Sequence, residues 1–214
     1  METRKLLILG FSAATVTMIL DNLESCGLYP AVRVLNNLNL ADTIPYKNDA
    51  FKIMLINSLD QSDEGSTAFL GVYKSVIKQK VFELFQSHNF NYTNIIHQNT
   101  AISATVKMGE GILINSFVSI ASQTTIGNFV SINRNSSVGH HTVVGDFATI
   151  NPGATVAGNV TIGKCSTIGM GANIIDGVTI GENTIIGAGA LVTKDIPADV
   201  IAYGNPCKII KLNT

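Results

Sequence analysis

Two histidines stand side by side in Val138-Gly139-His140-His141. Imidazole titrates near neutral pH and is the side chain most often used to move a proton in catalysis. His140 follows an aliphatic residue and a glycine, which suits an outward-facing corner, so it reads as a general base with His141 beside it. His88 and His97 lack the spacing to converge with that pair on zinc, so no metal site is expected; His97 reads as structural. Cys26, Cys165 and Cys207 are isolated, without a CxxC pair. They read as reduced thiols of a cytoplasmic protein. Cys165 has no evident base, so no covalent enzyme intermediate is expected. Near the start, Gly10-Phe11-Ser12-Ala13 joins an apolar run to a helical pattern, and free N–H groups at such a helix start can hold phosphate.

Two kinds of architecture position these residues. In the first ninety, residues 5–10 (KLLILG), 31–35 and 51–56 (FKIMLI) read as strands. Ser12 is placed to cap a helix that runs to about Cys26 and is closed by Gly27. Residues 73–87 form a second helix, with Val76, Ile77, Val81, Leu84 and Phe85 on one apolar stripe. Residues 61–67 (QSDEGST) read as a flexible loop. This is the grammar of a small α/β unit with a mainly parallel sheet. The segment LLILGFSAATVTMIL imitates a secretory leader, yet it ends in Asp21-Asn22 without an Ala-x-Ala site and is too short to span a bilayer. A buried strand turning into a helix is expected there, with no membrane span.

From Ile96 an aliphatic residue recurs at every sixth position through Val192, seventeen times without a slip. Four residues after each of these, the site is mostly small or β-branched, as at Val118, Thr124, Val130, Ala148, Ala154, Val160 and Ala172. Hexapeptide periodicity of this length is the signature of a parallel β-helix with every sixth side chain in a narrow core. Charged residues are 14% of the 214 and the formal charge is −1. No basic surface therefore invites nucleic acid or anionic lipid, and with Trp absent, stacking platforms for single strands are not expected either.

The repeat resembles the hexapeptide acyltransferase superfamily. GHHTVVGDFATINPGATVAGNVTIG, followed by IGMGANIIDGVTIGENTIIGAGALVTKDIPADVIAYGNPCKII, is similar to the sugar acyltransferases of the sialic-acid O-acetyltransferase and bacillosamine N-acetyltransferase type. The resemblance implies a left-handed β-helix of 18-residue coils over residues 93–214, preceded by a Rossmann-like nucleotide-sugar-binding domain over residues 1–92. On such coils residue i stacks under i+18 at roughly 4.8 Å, giving the column Ser122–His140–Gly158–Asp176–Lys194. The resemblance puts the general base at His140 and the backbone donor to the acetyl carbonyl at Gly158. It lays the pantetheine arm of coenzyme A along Met170, Gly171, Ala188 and Gly189 between the subunits of a homotrimer. Thr149 falls where one branch has a second histidine near the thioester, and Lys194 and Lys208 are candidates for the coenzyme phosphates.

The chain departs from the family in two places. The acid that usually follows the catalytic histidine is replaced by His141. The Gly-rich turn keeps only Gly10 before Ser12 and Ala13, and the acidic pair that contacts the nucleoside becomes Asn36-Asn37. The resemblance implies an acetyl-CoA-dependent N-acetyltransferase acting on a UDP- or dTDP-linked amino sugar. O-acetylation of a sugar hydroxyl is the nearest alternative, and a catalytically weak nucleotide-sugar- and coenzyme-A-binding protein is a further one.

Overall fold

The computed structural model describes residues 5–28, 31–36, 46, 49 and 51–214. The first elements are strand β1 (Lys5–Leu9), helix α1 (Ala13–Ser25), strand β2 (Ala31–Leu35) and strand β3 (Lys52–Ile56). Strand β4 (Thr67–Leu70), helix α2 (Ser75–Phe85) and the short strand β5 (Asn91–Tyr92) complete the unit. The sheet is parallel in the order β3-β2-β1-β4-β5, so the chain leaves β1 to one side first and later returns to its other side. Helix α1 ends in a Schellman turn. Gly27 takes φ +64°, its N–H donates to the Glu24 carbonyl at 2.9 Å, and the Leu28 N–H reaches Leu23 at 2.9 Å. Ser12 occupies the N-cap position but makes no side-chain capping bond.

Two expectations for this unit are corrected. Residues 61–67 are not a flexible loop. Gln61–Asp63 form a 3-10 turn, Asp63 is buried and ion-paired with Arg33, and Thr67 opens a strand that pairs with β1. The stripe on α2 faces inward only in part: Phe85 is buried and Val81 packs against the same core, but Val76, Ile77 and Leu84 are exposed, and Ser75 and Lys78 are buried. The reason lies in what α2 packs against. Its Ser75 and Lys78 meet a β-helix strand column whose outward residues are Ser131, Thr149 and Thr167. A hydroxyl-bearing surface selects polar partners at the start of the helix, while further along Val81, Phe82 and Phe85 pack with Phe129 and Phe147.

The remaining chain is a left-handed parallel β-helix of three sheets that repeats every 18 residues, as in Val138 against Val156 and Ile150 against Ile168. The hexad aliphatics close its two-residue strands. The fourteen from Ile114 to Val192 are no more than 2% exposed, whereas Ile96, Ile102 and Met108 sit at the open first coil. Fully burying such a side chain stabilises by roughly 1.5–3 kcal/mol, so an unbroken series is what holds a narrow solenoid together. At every corner from Gly111 to Gly189, each sixth residue takes a positive φ. Glycine and asparagine accept this at little cost, whereas His141 and Phe147 bear a penalty of roughly 1 kcal/mol or more. Strand Val200–Tyr203 extends the largest sheet, and Lys208–Leu212 folds back against it antiparallel.

The α/β sheet packs on the β-helix through both of its faces. Ile95 and Leu113 join the α1 side, and Phe129, Phe147 and Cys165 join the other. A polar seam accompanies this contact, running from Asn22 to Asn115, Asn133, Tyr73 and Asn151. No helix among the described residues is long and apolar enough to cross a membrane.

Candidate active site

His140 and His141 occupy a corner between the strands Ser137–Val138 and Val143–Val144. The corner forces the pair to diverge. His141 takes the left-handed position, φ +56°, so its side chain leaves the backbone in a different direction from its neighbour's. The rings meet edge to face, 85° apart, with Nδ1 of one 3.1 Å from Nδ1 of the other. One Nδ1 donates and the other accepts, so with His141 accepting, His140 carries its proton on Nδ1 and keeps Nε2 as a free base. Both side chains are exposed.

One coil further on lies Gly158, buried beneath the His140 ring. A methyl group placed there would stand 2.6 Å from Cε1 and 2.7 Å from Nε2 of His140, and 2.9 Å from Oδ1 of Asp176. Only glycine leaves room for the imidazole edge. The Gly158 N–H has no hydrogen-bond partner among the described residues. Asn159 ties the neighbouring coils together: its N–H donates to the His140 carbonyl at 2.8 Å, and its Nδ2 donates to Asp176 Oδ1 at 3.2 Å. The column expected from 18-residue stacking is therefore present, and it gathers an imidazole, a free backbone donor and a carboxylate.

The other expected residues lie elsewhere. Met170 and Gly171, with Ala188 and Gly189 one coil on, are exposed on the corner after the largest sheet, a different edge of the prism. Along that edge Gly153, Gly171 and Gly189 follow Phe117 and Asn135 in the positive-φ position, and a methyl on any of the three glycines would meet nothing within 4 Å. The result is a bare lane open to solvent. One chain does not bring this lane and His140 together. Thr149 is buried, and its hydroxyl is engaged by Ser75 at 3.0 Å and by the Tyr73 carbonyl at 3.4 Å; it belongs to the contact between α2 and the β-helix, not to an open coenzyme surface. Lys194 and Lys208 are exposed.

Gly10, Ser12 and Ala13 lie where β1 passes into α1. Gly10 takes φ +79°, and a side chain there would crowd Val72, whose Cγ1 lies 3.0 Å from where its first carbon would stand. Asn36 is buried at the end of β2, with its N–H on the Ile56 carbonyl at 2.8 Å; Asn37 lies outside the described residues. Cys165 donates its thiol to Gln79 Oε1 at 2.9 Å, and burial pushes that thiol up in pKa. His97 accepts the Asn99 N–H at its Nδ1, the kind of local bond that a structural histidine makes. No group of three metal-ligating side chains is present among the described residues. Sequence reasoning placed Asp176 in the column without giving it a role. The signal was its position two coils, or thirty-six residues, after His140.

Comparison with known proteins bears on this arrangement. Residues 159–194 match the family model described as bacterial transferase hexapeptide (six repeats). No curated protein matches. Among solved structures, a histidine-to-asparagine variant of the perosamine N-acetyltransferase from Caulobacter crescentus, in complex with CoA and GDP-perosamine, is 27% identical. It covers 98% of each chain with a TM-score of 0.82. WeeI from Acinetobacter baumannii AYE is 28% identical over 95% of this chain and 100% of its own, with a TM-score of 0.78. The acetyltransferase domain of PglB from Neisseria gonorrhoeae FA1090 shares the fold at 24% identity and a TM-score of 0.83, over 97% of this chain and 100% of that one. The chain thus carries the hexapeptide repeat of bacterial transferases on a fold that a sugar N-acetyltransferase matches over nearly its whole length.

Proposed function

We propose that this chain is an acetyl-CoA-dependent N-acetyltransferase that acts on an amino sugar linked to a nucleoside diphosphate. The observation that carries the reading is the His140 imidazole over Gly158, its Nδ1 against His141 and its Nε2 free. An incoming ammonium first gives up one proton to solvent. The neutral amine then forms a bond to the thioester carbonyl carbon while His140 Nε2 takes one of its hydrogens. The oxyanion develops beside the Gly158 N–H, a donor already fixed by the coil. As the carbon–sulphur bond breaks, the electron pair leaves on sulphur and the imidazolium returns its proton there, giving amide and free thiol. The thiol of Cys165, hydrogen-bonded to Gln79, takes no part.

The bare lane of Gly171 and Gly189, beside Met170 and Ala188, fits a slender pantetheine arm, and Lys194 and Lys208 are available for the coenzyme phosphates. Because the lane and His140 lie on different edges, the complete site forms between two chains of a homotrimer. The α/β unit is Rossmann-like and holds the nucleotide. Its strand order reverses at β1, so a crevice opens at the end of that strand. Gly10, Ser12 and Ala13 border this crevice, with Asn36 at the end of β2 and Asn37 following in sequence. The uncapped start of α1 supports phosphate binding there, since its first N–H groups are not taken by Ser12. GDP, the carrier bound by the Caulobacter relative, joins UDP and dTDP among the nucleotides to be tried.

The test is the mass and stability of the product. Incubation with acetyl-CoA and a nucleotide-linked amino sugar is expected to add one acetyl group in a linkage that survives mild alkali, as an amide does. An alkali-labile product would identify an ester and overturn N-acetylation.

A further inference from the structure

We infer that Asp176 is the residue that receives the amino group of the acceptor and selects an amine over a hydroxyl. This deepens the acetyltransferase reading and rests on it. Asp176 lies on the corner between the strands Asn173–Ile174 and Thr179–Ile180, in the same column as His140. His140 Nε2 and Asp176 Oδ1 approach the space above Gly158 from opposite coils, 2.7 Å and 2.9 Å from the point where a side chain would begin. They do not pair with each other. Two acceptors that share one tetrahedral nitrogen, each at about 2.8 Å, stand roughly 4.6 Å apart. That separation lies within the range those two distances allow, so a single amine nitrogen bridges the pair.

No cation claims the carboxylate among the described residues, and it is exposed. Its hydrogen-bond partner is the Asn159 amide, and Asn159 also holds the His140 backbone. Between residues 96 and 192 Asp176 is the one charged side chain on this edge of the prism. A negative charge beside the free nitrogen of the base attracts an ammonium. After that group loses a proton to solvent, the carboxylate accepts one remaining N–H while the hydrogen to be transferred points at Nε2. The lone pair is then directed outward, toward the thioester. An uncharged hydroxyl gains nothing from the charge and has only one hydrogen, which cannot serve both acceptors.

The experiment compares the wild-type chain with D176N and D176A, using acetyl-CoA and the amino sugar that the wild type acetylates. Substitution by Asn keeps an acceptor oxygen but removes the charge. We expect kcat/KM for the amino sugar to fall about 10- to 100-fold, as for loss of a charged hydrogen bond, chiefly through KM. KM for acetyl-CoA is expected to stay within about twofold, since the carboxylate is assigned to the amine and not to the coenzyme. The melting temperature is expected to be unchanged, because the side chain is exposed; a merely structural role would move it instead. Undiminished kcat/KM in D176N overturns the assignment while leaving the acetyltransferase reading intact. Absence of transfer to every amine by the wild type, or transfer to hydroxyl acceptors alone, overturns the reading and the assignment with it.

Discussion

Replacing Gly158 with alanine separates the packing of the catalytic corner from its chemistry. The backbone of Gly158 lies outside the left-handed region, so alanine meets no conformational penalty there. Its methyl would stand 2.6–2.7 Å from two ring atoms of His140. Non-bonded carbons rest at about 3.5–4.0 Å, so the ring must retreat by ~1 Å. His140 and Asp176 are both exposed and can swing away, which keeps the change in stability within about 0.5 kcal/mol. A reacting group misplaced by ~1 Å costs on the order of 100-fold in rate. The expected result is therefore a variant that melts with the wild type, binds coenzyme A normally, and releases thiol from acetyl-CoA about 100-fold more slowly. Gly139 supplies the contrast. A methyl there would overlap the Ala157 carbonyl and crowd the Gly158 nitrogen, which are backbone atoms that cannot swing. G139A is expected to lose about 1–3 kcal/mol of stability, read from the urea midpoint. A G158A chain with kcat within twofold of wild type would mean that the ring pose over Gly158 is not the working one.

His140→Ala is expected to lower kcat by about two to four orders of magnitude with coenzyme binding and assembly intact, checked by thiol release and calorimetry. His141→Asp is expected to preserve or raise kcat, because a carboxylate can accept from His140 Nδ1 and aspartate tolerates a positive φ; a loss beyond tenfold would give the second imidazole a role of its own. Lys78 is expected to make stability depend on pH. Burial lowers its pKa from 10.5 to about 7, while its Nζ donates to the Phe129 carbonyl at 2.8 Å and to Ser131 Oγ and the Ala148 carbonyl at 3.2 Å. Between about pH 7 and 10.5 the unfolded chain binds the proton that the folded chain has released, so stability rises with pH across that window and is lost as pH falls toward 7. The slope approaches ~1.4 kcal/mol per pH unit at its steepest, and K78M is expected to remove it from urea midpoints measured across the window.

The β-helix was legible because one constraint repeats. A narrow core admits one aliphatic at every sixth position, and from Ile114 to Val192 each such residue is buried as the spacing requires. The same regularity located the column that joins His140 to Gly158. Helix α2 is legible only in part because its partner is apolar along only part of its length. Three-to-four periodicity finds the apolar stripe of Val76, Ile77, Val81, Leu84 and Phe85, of which Val81 and Phe85 pack inward, whereas the strand column beneath the start of the helix presents hydroxyls and takes Ser75 and Lys78. Strand β4 was missed because Thr67–Leu70 is only four residues long and follows a polar stretch; what makes it a strand is pairing with β1, a long-range contact. Nothing local signals that Ser75, seventy-four residues earlier, covers Thr149.

The central claim, direct acetyl transfer to an amine by His140, is tested most directly by thiol release from acetyl-CoA against GDP-, UDP- and dTDP-linked amino sugars. Matched hydroxyl sugars serve as controls, and the wild type is run beside H140A. Turnover on an amino sugar is expected for the wild type, with near-complete loss in H140A. Equal turnover by the two chains, or release with hydroxyl sugars alone, would contradict the claim.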